Sequence, residues 1–471
     1  MRLAATYVIT VALSAMVAGA ADDVSLPDPL KTLAGKTVAS PADWRNGRRA
    51  EVLELFRANV YGRAPVARPR DLRFETIATN KSALSGRATR KEVKIHFSGP
   101  GGEGAIRLVV FIPNNAPKPV PGFLLISNRA LNPEELAGTN RSTFWPVERI
   151  VARGYAAAVF HNADLDPDKD DGFKDGVHGI FDRKDAPRPP DAWGSIAAWA
   201  WGASRVMDYF ETDADIDARR MAVVGHSRGG KCALWCGAED ERFALVISNE
   251  SGCTGAALAR GKCGETIQAI NRNFPHWFCA NYKRYNDKES ELPVDQHELV
   301  ALMAPRLVYV ASATNDKWSD PPAEFRSCLH AEPVYRLFGL PGMGTTNMPS
   351  PEHPLLDGHI GYHLRTGQHD LTGYDWTCFM GFADRHWKKG DSRPTVVRAD
   401  STSTNVDTSA GWLKSGSNPI IRPGINQWDH DACYKPFALF DGANWLLWYN
   451  DRHGGFEQIG LATHPGADLG F

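Results

Sequence analysis

The chain has no block of Lys or Arg, and its 53 basic residues are set against 55 acidic ones for a formal charge of −2. A nucleic-acid groove or an anionic membrane surface needs a concentrated positive field, so neither is expected as the main partner. Beyond its first residues the chain also lacks an apolar run near the roughly 20 residues that a spanning helix needs, and no membrane domain is expected. The eight cysteines (232, 236, 253, 263, 279, 328, 378 and 433) lack the compact spacing of a metal site, so none is expected. Their spacing does not determine a disulfide pairing, and Cys232 and Cys236, four apart on one predicted helix, read as small buried thiols. No internal repeat is found.

What is present is a globular composition of 471 residues, 43% apolar and 23% charged, long enough for two or three domains or one large α/β domain with an appendage. Fourteen Trp, twelve Tyr and twenty-one Phe supply a generous core, and the Trp count also suits stacking on sugar faces. At the N-terminus, Arg2 precedes a nearly all-apolar stretch from Leu3 to Val17, and Ala18-Gly19-Ala20 follows with small residues. This reads as a secretory signal peptide over residues 1–20, which implies a soluble, exported mature protein.

Helical spacing of Trp44, Val52, Leu53, Leu55, Phe56, Val60 and Tyr61 predicts an entry helix that ends before Gly62 and Pro65. Strands are then expected at Glu92–Phe97, Ala105–Pro113, Gly122–Ser127, Ala156–Phe160, Met221–Val224, Phe243–Ser248 and Arg306–Ala311, with helical stretches such as Asp191–Phe210 between the later ones. Strands alternating with helices predict an α/β fold with a mostly parallel sheet covered on both faces. After Trp387 the character changes. A polar linker is expected over 391–411, with five Ser or Thr between Ser401 and Thr408, and a short all-β segment over 412–471.

Between the Met221–Val224 strand and a helical run stands Gly225-His226-Ser227-Arg228-Gly229-Gly230-Lys231. A G-x-S-x-G alone is a weak signal, but in strand-to-helix context it is a nucleophile elbow, with Ser227 held out of the sheet at a helix N-terminus that favours developing negative charge. In this fold the chain order runs nucleophile, acid, histidine. His369 suits the base, because it lies in a loop between a late strand and a helix ending near Trp387; His353, His359, His363 and His386 are its rivals. Two carboxylates end strands beyond the nucleophile: Glu250 one strand on and Asp316 two strands on. Either would orient the imidazole, and chain order slightly favours Asp316.

Taken together, these residues resemble the glucuronoyl esterases of carbohydrate esterase family 15. The resemblance runs from about Trp44 to Trp387 and rests on Val60-Tyr61-Gly62-Arg63-Ala64-Pro65, the elbow, Asn249-Glu250-Ser251-Gly252, Gly264-Glu265-Thr266, Asn315 to Pro321 and Gly367-Gln368-His369-Asp370. It implies an α/β-hydrolase over 21–390 that needs no cofactor and cleaves esters of (4-O-methyl-)glucuronic acid on glucuronoxylan, including lignin-carbohydrate links. It implies Ser227 as nucleophile, His369 as base and Glu250 as acid, which reverses the chain-order preference and leaves Asp316 as an alternative or supporting acid. Arg228 matches the arginine that helps hold the oxyanion, and Lys231, Glu265 and Trp318 match positions that contact the sugar. Where fungal members carry a disulfide next to the serine and the histidine, this chain has His226 and Asp370, and a hydrogen bond between them is expected to replace it. Near Arg272, where fungal members carry a sugar-binding Glu, it offers an arginine. The tail from about Leu413 resembles the opening of a five-bladed propeller of the glycoside hydrolase kind; about 60 residues cannot close one, so no glycosidase activity is assigned. Other readings to weigh are an acetyl or feruloyl xylan esterase and a non-catalytic carbohydrate-binding protein on a hydrolase scaffold.

Overall fold

The structure, a computed structural model, describes residues 25–139, 141–261 and 263–387 in full and the backbone of several strands between 406 and 465. The expected signal peptide lies outside the described residues, as does most of the expected linker. The chain divides into two units, Met1–Gly390 and Asp391–Phe471.

The larger unit is built on one nine-stranded sheet: β1 (Arg73–Ala83), β2 (Ala88–Gly99), β3 (Gly102–Pro113), β4 (Val120–Ser127), β5 (Ala156–His161), β6 (Ile216–His226), β7 (Leu245–Asn249), β8 (Leu307–Ala313) and β9 (Ile360–Arg365). Their spatial order is β1-β2-β3-β5-β4-β6-β7-β8-β9. From β5 to β9 every neighbouring pair is parallel, whereas β1, β2 and β3 form an antiparallel extension that joins through β5. The parallel strands are apolar without alternation because both faces are covered. Along β4, Leu124 and Ile126 enter the core that contains helices Ser195–Phe210 and Arg228–Glu239, while Phe123 and Leu125 enter the opposite core with Trp145, Trp376 and Phe379. This is the three-layer arrangement expected.

The entry segment is helical from Pro41 to Tyr61 with two π-helical turns, and buries Trp44, Val52, Phe56, Val60 and Tyr61. Strand β1 was not foreseen: Arg73-Phe-Glu-Thr-Ile-Ala-Thr-Asn-Lys-Ser-Ala83 is a mostly exposed edge strand with no continuous apolar stripe to announce it. In the smaller unit, Ala432–Phe440, Asn444–His453 and Phe456–Pro465 form an antiparallel three-stranded sheet. Among the described residues no helix is long and apolar enough to cross a membrane, and the seven cysteines other than Cys433 carry free thiols.

Sheet and elbow helix meet with almost no clearance. A Cβ on Gly225 would lie 1.8 Å from the carbonyl oxygen of Gly229, and one on Gly230 would lie 2.9 Å from Cβ of Ser251. The first clash is with backbone, so it cannot be relieved by a rotamer change. Gly225→Ala is therefore expected to destabilise by about 2 kcal/mol or more, read as a lower thermal unfolding midpoint; an unchanged midpoint would show that the turn is not tight.

Candidate active site

Strand β6 ends at His226, and the next residue, Ser227, has φ 58° and ψ −123° as it caps the helix Arg228–Glu239. L-residues avoid that region, and a non-Gly residue held there is strained by about 1–3 kcal/mol. Surrounding bonds enforce it: Ser227 N–H donates to the Asn249 carbonyl at 2.9 Å, and the Gly230 N–H closes the turn on the Ser227 carbonyl at 2.9 Å. Glu250, directly after β7, has φ 47°, and Thr254 and Asp320 nearby have φ 56° and 60°. Four of the nine positive-φ non-Gly residues among those described thus lie around one end of the sheet.

The sequence-predicted base and both candidate acids come together there. His369 Nδ1 lies 2.6 Å from Asp316 Oδ2 and 3.1 Å from Glu250 Oε2, so one N–H is shared between two carboxylates. Burial disfavours the charged ring, but the two carboxylate hydrogen bonds outweigh it and raise His369 to about 9. Burial raises Glu250 to about 6 against the opposing pull of His369 and Arg365. Burial acts upward on Asp316 as well, yet its hydrogen bonds with His369 and Ser319 leave it below the usual carboxylate range. Of the four rival histidines, His363 is fully buried between Asp375 and Tyr309, and His353 bonds to the Pro351 carbonyl; neither joins the group.

Two partners escaped the sequence reading. Arg365, the last residue of β9, pairs with Glu250 Oε1 and with Asp375, and donates to the carbonyls of Gln368 and Asp370 at 2.8 Å each. A buried carboxylate beside a histidine needs a compensating cation, and the arginine ending the strand before the His369 loop was the available signal. Asn249 is the other. Its Oδ1 lies 2.7 Å from His226 Nδ1, so the expected His226–Asp370 bond gives way to a different pairing: Asp370 Oδ1 instead accepts from Leu371 N–H, and Asp370 N–H donates to Glu250. The cause is register, since β6 and β7 set His226 opposite Asn249. Burial and the neighbouring His369 charge push His226 down to about 3, which keeps it neutral while its ring lies 4.4 Å from that of His369.

The remaining predicted residues lie on the adjoining loops. Arg228 Nη1 donates to Asp168 Oδ2 at 2.6 Å. Lys231 is buried and donates to the carbonyls of Ser251 at 2.5 Å and Cys253 at 2.6 Å, with Glu265 at 3.9 Å. Trp318 is 56% exposed, so its indole is not part of the core. Its carbonyl accepts from Glu265 N–H at 2.9 Å, and Asp320 accepts from Cys263 N–H at 2.6 Å, so the Glu265 and Trp318 loops are strapped together. Arg272 lies on the helix Ile267–Asn273, and its Nε donates to the Asn273 side chain. Glu250, Asp316 and His369 have ligand atoms within 4.8 Å of one another, the geometry a metal ion would also require. Here Arg365 already compensates Glu250, and the shared Nδ1 hydrogen accounts for the approach.

A family model described as Glucuronyl esterase, fungi, matches residues 147–339. Carbohydrate esterase MZ0003, from an unknown prokaryotic organism, is 43% identical over 395 residues, which is 78% of this chain and 90% of that protein. The 4-O-methyl-glucuronoyl methylesterase 1 of Wolfiporia cocos is 28% identical over 332 residues, 67% of this chain and 72% of that protein. Among solved structures, a glucuronoyl esterase from Solibacter usitatus superposes with a TM-score of 0.72 at 42% identity, over 77% of this chain and 98% of that one. The fold is that of the α/β-hydrolases.

Removing Arg365 would leave Glu250 and Asp375 buried without the guanidinium that bridges them. Arg365→Met is expected to cost about 3–5 kcal/mol, measured by denaturant unfolding; a loss below about 1 kcal/mol, the range of a surface pair, would show that the guanidinium is not the compensating charge.

Proposed function

Because the chain belongs to the glucuronoyl esterase family, we propose that it cleaves esters of glucuronic acid, or of its 4-O-methyl derivative, on glucuronoxylan, including the ester links to lignin alcohols, through an acyl-enzyme on Ser227. It is a carboxylic ester hydrolase. The observation that carries the assignment of roles is the His369 ring, whose Nδ1 is held by Asp316 and Glu250 while its face packs on the residue preceding Ser227.

In this reading the Ser227 hydroxyl gives its proton to His369 Nε2 as its oxygen attacks the uronoyl carbonyl. The imidazolium that forms is stabilised by both carboxylates, of which Glu250 is the acid proper and Asp316 the support. The backbone N–H of Arg228, at the helix N-terminus, and its guanidinium receive the oxyanion. Collapse expels the alcohol with the proton from His369. Water, deprotonated by the same ring, then attacks the acyl-enzyme, and the uronic acid leaves with Ser227 restored. Lys231 and Glu265 contact the sugar hydroxyls, and the exposed Trp318 ring covers the sugar. We further propose export, from the N-terminal residues, and for 412–471 the opening strands of a five-bladed propeller without catalytic activity.

The test is hydrolysis of benzyl glucuronate beside acetylated xylan. Ser227→Ala is expected to abolish uronate cleavage, and Glu250→Ala to lower kcat more than Asp316→Ala does. Cleavage of acetyl esters alone would move the substrate to the acetyl xylan class, and activity on neither would return the non-catalytic reading.

The pH profile is a separate prediction. The base must be neutral to accept the serine proton, so kcat/KM should rise with pH through the His369 pKa, raised to about 9. Removing one negative neighbour favours the neutral ring, so Asp316→Asn should move that acid limb to lower pH. A limb that stays in place would mean that Asp316 does not share the Nδ1 proton.

A further inference from the structure

We propose that Asp168 is a positioning residue for the reaction: it fixes the Arg228 guanidinium so that the free Nε–H edge faces the oxyanion, a role that rests on the oxyanion reading of Arg228 given above. Arg228 is the first residue of the elbow helix, and nothing in a helix start orients so long a side chain. Three contacts do so here. Asp168 Oδ2 takes Nη1 at 2.6 Å. The Trp277 ring lies under the guanidinium, with its centroid 5.2 Å from Cζ, and Phe274 stacks on that indole at 3.7 Å. The third is the anchoring of Asp168 itself, whose Oδ1 accepts from His276 Nε2 at 2.9 Å and from Trp277 Nε1 at 2.7 Å. With both oxygens engaged the carboxylate cannot rotate.

The loop that carries it is fixed two residues earlier. Asp166 accepts from Ser195 Oγ at 2.5 Å and lies 2.9 Å from His178 Nδ1, while its carbonyl accepts from Trp199 Nε1 at 2.7 Å. One edge and one face of the guanidinium are therefore held, and Nε is left buried and without a hydrogen-bond partner. A buried donor with no acceptor is costly. It is accounted for if its acceptor arrives with the substrate, as the carbonyl oxygen that gains charge during attack.

The direction of the mutational effect separates positioning from charge. By charge alone, an anion beside Arg228 weakens the field at the oxyanion, so removing it would speed the reaction. By positioning, removing it frees the guanidinium and slows the reaction, because a donor must be preorganised where charge develops. The measurement is kcat and KM on benzyl glucuronate for wild type, Asp168→Asn, Trp277→Phe, Arg228→Ala and the double variant Asp168→Asn with Arg228→Ala. Asp168→Asn is expected to lower kcat by about 10-fold or more with KM within about 3-fold, since the interaction strengthens in the transition state. Trp277→Phe keeps an aromatic face and loses only the N–H to Asp168, so it should fall in the same direction by less. In the Arg228→Ala background Asp168→Asn should have no further effect. If Asp168→Asn does not fold, Trp277→Phe with and without Arg228 makes the same comparison. An unchanged or raised kcat, or the same loss in the absence of Arg228, would overturn the proposal. Full kcat in Arg228→Ala would overturn the oxyanion reading and the positioning role with it, whereas a loss there with none in Asp168→Asn overturns the positioning role alone.

Discussion

The site depends on one buried cation. Arg365 ends strand β9 with its guanidinium between Glu250 and Asp375, and the Nη2 that meets Glu250 also reaches the carbonyls of Gln368 and Asp370 on either side of His369. A single residue thus bridges two buried carboxylates, beside the histidine that each also meets, and fixes the loop that carries the imidazole. Without it, burial would favour the neutral acid form of Glu250, which cannot stabilise an imidazolium. With it, and with the larger pull of the His369 hydrogen bond, Glu250 is raised only to about 6 and stays largely ionised in neutral solution. Asp375 in turn holds His363 and caps the turn at Thr372, so the same charge ties the helix Gly373–Trp387 to the sheet.

Two carboxylates on one imidazole nitrogen have unequal environments. Glu250 is the more deeply buried, carries a guanidinium on its other oxygen and sits in a strained backbone conformation after β7. Asp316 is held by its own turn through Ser319 N–H at 3.2 Å and makes the shorter bond to His369. Behind them Glu324, fully buried and raised to about 8 by that burial, accepts from Ser312 Oγ, Ser251 Oγ and Gly252 N–H. A mainly protonated Glu324 adds no third negative charge to the cluster, while its hydrogen bonds hold the Ser251–Gly252 turn beside Glu250.

The sequence showed most of the frame. Buried parallel strands are continuous apolar runs, the G-x-S-x-G stood after one of them, and chain order brought Glu250, Asp316 and His369 within reach of a single choice. What it did not show were the contacts fixed by register and by loops. Asn249 faces His226 because β6 and β7 pair there, and no spacing along the chain reveals that. Arg365 and Asp168 look like ordinary charged residues until the fold places each beside an opposite charge. Strand β1 escaped because a solvated edge strand buries too little to leave a periodic apolar pattern.

The elbow makes a demand that its own helix cannot meet. A helix N-terminus supplies backbone N–H groups and a partial positive charge, and both are directed along the axis, whereas the oxyanion of an attacked ester lies to one side of the serine. A side chain at the first helical position has the required reach and a permanent charge. It also has several rotatable bonds, and a donor that samples many orientations gives up the preorganisation from which electrostatic catalysis derives. The loop after β5 answers this from outside the elbow. It is fixed at Asp166, presents Asp168 to the guanidinium edge, and works against the Trp277 face. The residues proposed as acid, base and oxyanion donor are thus each held by a group on a different strand end or loop, so the geometry of the site is a property of the whole sheet edge and not of the elbow motif alone.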